Sequence, residues 1–189
     1  MNRLLFRPRT QRMLVAVAAA AILGLLVAGA ALFQPWRLFT SSAVDEAPPG
    51  VSAPAAVDTS ASGAEAAIPA EAQQTPVPVV VGTGAFQSQE HATSGTAQLL
   101  KLADGSHVLR LENLASSDGP DVKVWLSSLP AGGDWFKYRS GRYVDLGAVK
   151  ATHGNQNYAI PAGTDVSGLA SVVLWCDRFS VAFGSAPLA

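Results

Sequence analysis

Cys176 is the only cysteine in this 189-residue chain and the side chain best suited to do chemistry. It lies within VVLWCDRFSVAFG, residues 172–184. Because no second cysteine is present, an intrachain disulfide is excluded. Four roles stay open for this residue: a buried apolar side chain with an inert thiol, an intermolecular disulfide, a reactive thiol, or a ligand to a metal or haem.

The sequence excludes several cofactors. There is no Cys-x-x-Cys-His for a covalent c-type haem, and iron–sulfur clusters usually need four cysteines. A blue-copper centre takes two histidines, a cysteine and often an axial methionine. His91, His107 and His153 are available, but both methionines precede the predicted folded domain and each histidine alone is more typical of a surface residue. We assign no metal ligands, and a non-covalent haem held by the Cys176 thiolate remains open.

Hydrolase chemistry has little support in the sequence. No Gly-x-Ser-x-Gly is present, and Cys176 has no neighbouring base, so whether the chain is an enzyme stays open.

The segment GDWFKYRSGRY, residues 133–143, is aromatic and basic without strand alternation. It predicts an exposed loop that offers a surface to a protein partner. For most other aromatic residues we expect core packing.

The elements that position Cys176 are short strands. Apolar and polar residues alternate in HVLRLENL and DVKVWLS, which places Leu109 and Leu111 on one face and Arg110 and Glu112 on the other. Asp104-Gly105 predicts a hairpin turn. Seven or eight such strands between glycine-rich breaks predict an all-β fold, an antiparallel β-sandwich or barrel.

The strand SVVLWC is apolar on both faces. Cys176 shares one face with Val172 and Leu174, while Val173 and Trp175 point the other way. We therefore expect a strand that is buried on both sides. The charged pair Asp177-Arg178 follows at once and places the sulfur near the rim of the sandwich, within reach of a ligand or partner.

The N-terminal region predicts a membrane anchor. Residues 1–12 are basic, and Met13–Phe33 is a run of 21 residues without a charge, long enough to cross a bilayer once. The arginines before this run place residues 1–12 in the cytoplasm and the rest of the chain outside it. The alternative is a cleavable signal peptide, since Ala28-Gly29-Ala30 has the form of a cleavage site, but the apolar run is longer than usual for one.

The remaining chain divides into a linker and one domain. Residues 34–78 are rich in Ala, Pro and Ser and predict a disordered spacer. Residues 79–189 have the length of one ordinary domain. Their eight Lys and Arg nearly balance nine Asp and Glu, so no basic face for nucleic acid is expected.

Three stretches resemble a known family. LENLASSDGPDVKVWLS, YVDLGAVKATHGNQNYAIP and SVVLWCDRFSVAFGSAPL are similar, in order over 83–188, to the DM-thirteen electron-transfer domain, and to bacterial members that carry one such domain on a membrane anchor. The resemblance implies a β-sandwich like DOMON domains. It also implies a redox role for Cys176, as a bare thiol or as ligand of a group such as haem. The run before GNQNY departs from the family pattern, so His153 receives no role.

Two functions follow as expectations. The first is a single-pass membrane protein that displays an extracytoplasmic redox domain centred on Cys176, with an unidentified envelope redox or protein partner. The second is a non-catalytic binding or structural module of the cell envelope whose cysteine is only core. An enzyme with a conventional active site ranks last.

Overall fold

The computed structural model describes residues 9–34, 36, 40–50 and 77–189. The predicted cytoplasmic residues 1–8 and the spacer residues 35, 37–39 and 51–76 lie outside these described residues. The helix α1 spans Arg9–Phe33. The strands that follow are β1 (Ala43–Asp45), β2 (Val79–Ala85), β3 (Gln87–Ser88), β4 (Ser94–Lys101), β5 (His107–Ala115), β6 (Val122–Ser127), β7 (Tyr143–Ala148), β8 (His153–Ala159), β9 (Ser171–Cys176) and β10 (Val181–Pro187).

Helix α1 contains the predicted membrane span. Its segment Gln11–Phe33 has a mean hydropathy of 2.6, and the apolar side chains are not buried against the domain. A helix that is apolar all round is unfavourable in water and suits a lipid environment. The segment is therefore long and apolar enough to cross a membrane, and a signal sequence would have the same character.

The strands form two five-stranded sheets that make a sandwich, as the sequence predicts. One sheet has the order β1-β8-β5-β4-β2 and the other β3-β10-β9-β6-β7. All pairings are antiparallel except that of β1 with β8. The predicted hairpin at Asp104-Gly105 joins β4 to β5, and Gly105 adopts the positive φ of 83° that this turn requires.

The core lies between the sheets. The predicted inward residues Leu109 and Leu111 have no exposed surface, and neither do Val124, Leu174 and Cys176 from the facing sheet. Alternation with a period of two thus places one face of each sheet in this core. Arg110 lies on the opposite face, as predicted, yet it is only 4% exposed.

Arg110 is buried because chain from the predicted spacer covers it. Its Nη1 donates to the carbonyl of Glu46 at 3.1 Å and to Asn157 Oδ1 at 2.9 Å, while its Nε pairs with Glu112 at 2.7 Å. These partners satisfy a guanidinium that would otherwise be costly to bury. The contact with residue 46 joins positions 64 apart in the chain, which no local pattern predicts.

Ala43–Asp45 departs from the prediction of a linker without regular structure over 34–78. These residues form β1, parallel to the start of β8, with Val44 opposite Gly154. Gly154 has a φ of 102°, and a Cβ there would lie 2.0 Å from the carbonyl oxygen of Val44. Only glycine permits this backbone approach, so the pairing depends on a position far along the chain.

Candidate functional site

Cys176 ends β9 and is completely buried. All six residues of β9 are buried, which confirms the expectation for this strand. The thiol belongs to the core between the sheets, and Cys176 lies opposite Val181 of β10 and Val122 of β6. The four-residue turn Asp177–Ser180 then leads into β10. The turn after Cys176 lies at the rim of the sandwich, as the sequence predicts, but the cysteine has no exposed surface.

The surroundings of the sulfur favour the protonated thiol. Burial raises the pKa of Cys176, and the backbone N–H groups of Phe179, Arg178 and Asp121, which donate toward the sulfur, only partly offset this rise. Since the thiolate is the nucleophile and the metal ligand, the resting fold suppresses both forms of reactivity.

The Asp177 side chain, next to Cys176 in the chain, has its partners on the outer face of the sheet. The Asp177 carboxylate points to the outer face, where it accepts from Lys123 Nζ and Arg139 Nη2, both at 2.6 Å, and from Trp175 Nε1 at 3.1 Å. Burial raises the pKa of Asp177, but the hydrogen bond and charge of Lys123 outweigh it and leave the pKa below its usual value. Arg178 contributes to the cysteine through its backbone amide.

A cavity of about 310 Å³ lies next to this turn. Its walls come from the end of α1, the β3–β4 and β5–β6 connections, the β9–β10 turn and β10. They include Phe33, Gln34, His91, Phe179 and Phe183. Cys176 does not line it, but its neighbours do: Phe179, whose amide donates toward the sulfur, and Val181, its partner in β10. One layer of residues therefore separates the thiol from the cavity.

The site does not fit a thiolate-ligated haem in this conformation. Iron ligation needs direct access to an ionised sulfur, whereas Cys176 has no exposed surface and a raised pKa. The nearby cavities are lined by Val181 on one side and by Asp121 and Val122 on another, and the sulfur opens into neither. We therefore derive no step through haem.

The histidines are not brought together with the cysteine. His91 pairs with Glu90 at 2.5 Å and packs on Phe183, with ring centroids 3.9 Å apart. His153 instead contacts Thr152 at 2.9 Å through Nδ1. Among the residues described, no group of three His, Cys, Asp or Glu side chains could hold a metal ion.

Sequence reasoning did not anticipate an aromatic stack on the outer face of the second sheet. The Trp125 ring lies between Tyr143, at a centroid distance of 4.0 Å, and Trp175, at 5.0 Å. Arg139 lies over both indoles at about 6 Å. The signal available was the outward position of Trp125 and Trp175 on neighbouring strands, which the β6–β9 pairing brings together.

The aromatic and basic segment 133–143 covers part of this stack. Lys137–Ser140 form a 3-10 helix whose Tyr138 is fully buried, with its hydroxyl 2.9 Å from Ser185 Oγ. Trp135 and Phe136 stay 41% and 64% exposed. Tyr138 therefore anchors the segment in the fold, while Trp135 and Phe136 form its exposed part. The use of this segment as a partner surface stays a prediction.

Comparison with known families gives one match. The family model described as "Electron transfer DM13" matches residues 85–188, more than half of the chain, and Cys176 lies within the match. No curated protein and no solved structure matches the chain significantly. The chain belongs to the Electron transfer DM13 family.

Proposed function

We propose that this member of the Electron transfer DM13 family is a membrane-tethered domain that transfers electrons outside the cytoplasm, with Cys176 as its redox group. The family match over residues 85–188 carries the proposal. Two further features support it: α1 is apolar enough to hold the domain at a bilayer, and the arginines before Met13 favour a cytoplasmic N-terminus.

The burial of Cys176 determines how it would work. A protonated, enclosed thiol reacts only after the covering turn Asp177–Ser180 moves and its pKa falls. The amide of Asp121, which lies outside this turn, still favours the thiolate. An open thiolate can attack a partner's disulfide, which forms a mixed disulfide as the partner's second sulfur leaves as thiolate and the thiol proton passes to solvent.

The second candidate is a non-catalytic envelope module in which Cys176 is only core. One observation favours it: the sulfur has 0% exposure and packs with Leu174 and Val181 between the sheets. Free cysteine is among the most frequently buried residue types, and a buried structural thiol is inert. The two candidates differ in whether the thiol ever becomes reachable while the sandwich stays folded.

Thiol labelling separates the candidates. The full chain in mild detergent is treated with iodoacetamide at pH 7 to 9, and the labelling rate is compared with the rate of global unfolding. The redox proposal expects labelling faster than global unfolding, and further acceleration in Phe179→Ala, which loosens the turn over the sulfur. Phe136→Ala is the matched control, since this exposed ring lies in another loop. Labelling that only follows global unfolding in all three proteins would establish the second candidate.

Protease protection tests the proposed orientation. Protease added to intact cells or spheroplasts should cut the spacer within 51–76 and release the domain, because that segment would lie outside the membrane. A domain that stays protected until the membrane is broken would reverse the orientation. Release without protease would instead support a cleaved signal peptide.

A further inference from the structure

The cavity between α1 and the sandwich has a wall at the end of the apolar helix. Phe33, the last residue of α1, stacks on Phe179 of the β9–β10 turn, with ring centroids 6.0 Å apart and planes at 11°. Because Gln11–Phe33 is the segment able to cross a membrane, this contact places the cavity where the helix leaves the bilayer. A ligand dissolved in the membrane reaches it without crossing water.

The walls of the cavity are mainly aromatic and apolar. Phe33, Phe179 and Phe183 line it together with the ring of His91, which is tilted by 60° against Phe183. Aromatic rings favour a flat, ring-shaped ligand, which they contact by offset or edge-to-face packing. Its volume of about 310 Å³ lies at the lower end of the range for small-molecule sites and holds a headgroup of one or two rings.

The polar groups of the cavity include hydrogen-bond acceptors. Glu90 and His91 form a carboxylate–imidazole pair at the wall. Gln34 also lines the cavity, and within the described part of the chain its buried Oε1 has no hydrogen-bond partner. A buried carbonyl oxygen without a donor is unfavourable, so a ligand hydroxyl would be bound there.

The charge of the lining residues disfavours anionic headgroups. Among the described residues that line the cavity, Glu90 and Asp118 are acidic and none is Lys or Arg. A phosphate or sulfate headgroup would meet the like charge of these carboxylates. The site suits a neutral ligand that has an aromatic ring and O–H donors.

We propose that this cavity binds the headgroup of a membrane hydroquinone, with its ring among Phe33, Phe179 and Phe183 and its hydroxyls donating to Gln34 Oε1 and to the Glu90–His91 pair. The inference deepens the proposed function, since a lipid-soluble electron carrier is the redox partner available to a domain held at the bilayer surface. It concerns binding and needs no reaction at Cys176.

Calorimetric titration tests the proposal on the full chain in detergent micelles. The probes are a decyl-substituted benzohydroquinone, kept reduced, and its quinone, with decylbenzene as the ring without oxygens. We expect saturable binding of the hydroquinone and at least tenfold weaker binding in Phe179→Ala, whereas Phe136→Ala should bind as the wild type does. Equal binding of decylbenzene and hydroquinone, or equal loss in both phenylalanine variants, would overturn the proposal.

Gln34→Leu provides a second readout. Since the amide oxygen accepts from a hydroxyl but not from a carbonyl, this change should weaken hydroquinone binding by about two- to tenfold and quinone binding by clearly less. Equal effects on both probes would refute the assigned role of Gln34. Titration measures ligand binding, whereas thiol labelling decides the redox proposal, so failure of one is distinguishable from failure of the other.

Discussion

Raising the pH should destabilise this fold through Cys176. Burial raises the pKa of the thiol in the folded protein, whereas the thiol of an unfolded chain titrates near ~8.5. A group whose pKa is raised by folding contributes its full stability below the unfolded pKa. That contribution is lost as the pH rises toward the folded pKa, because the unfolded chain releases its proton first.

The size of the effect follows from the burial. At pH 9.5, about one unit above the unfolded value, a thiol that stays protonated in the fold lowers the free energy of unfolding by about 1.4 kcal/mol relative to pH 7. This value is the upper limit of the loss, and a completely buried thiol such as Cys176 is expected to approach it. Buried tyrosines have raised pKa values as well, and burial raises the pKa of Tyr158 to about 12. The effect of Cys176 therefore has to be measured against a variant that keeps the tyrosines.

Urea unfolding of the full chain in mild detergent, followed by tryptophan fluorescence, measures this difference. Wild type and Cys176→Ala are each unfolded at pH 7 and pH 9.5, and the tyrosine contributions cancel between the two proteins. We expect the wild type to lose up to about 1.4 kcal/mol more than the variant. An equal loss would mean that Cys176 ionises as readily in the fold as in the unfolded chain, and the argument from burial would be wrong.

Two further substitutions test the packing around the site. Gly154→Ala should release β1 and speed hydrogen exchange at the His153 amide, which donates to Ser42, because its Cβ would strike the Val44 carbonyl. Gly147→Ala is the control, because Gly147 also has a positive φ but an added Cβ would meet open space. It should lower the free energy of unfolding by only about 1–2 kcal/mol. Equal exchange rates at the His153 amide in both variants would contradict the clash with Val44. Tyr138→Phe removes the hydrogen bond to Ser185 and should lower the free energy of unfolding by about 1–2 kcal/mol in urea titrations. The exposed Tyr143→Phe should change it by less than about 0.5 kcal/mol, and equal costs would refute a buried role for the Tyr138 hydroxyl.

Local pattern was sufficient for much of the fold. The alternation in β5 identified Leu109 and Leu111 as inward residues, and the apolar run of β9 identified a strand buried on both faces. Asp104-Gly105 identified the β4–β5 hairpin. These features depend on a side-chain period of two and on turn chemistry, which act over a few residues and can therefore be read in order along the chain.

The candidate site was only partly accessible in this way. The sequence identified Cys176 and its position before a turn, but not its complete enclosure or the direction of its pKa. Those depend on Val181 and Val122, which other strands bring beside it. Asp177 follows Cys176 in the chain, but Lys123, 54 positions away, holds its carboxylate on the outer face.

What the sequence alone determined is therefore the set of local elements: an apolar helix, short alternating strands, their turns, and one cysteine without a partner. What the tertiary structure decided is every property that depends on distant neighbours. Glu46 covers Arg110, and the β1 backbone fits against Gly154, because long-range contacts bring together positions that are far apart in the chain. The cavity beneath Phe33 exists for the same reason, since α1 and the β9–β10 turn are separated by most of the chain and meet only in the folded protein.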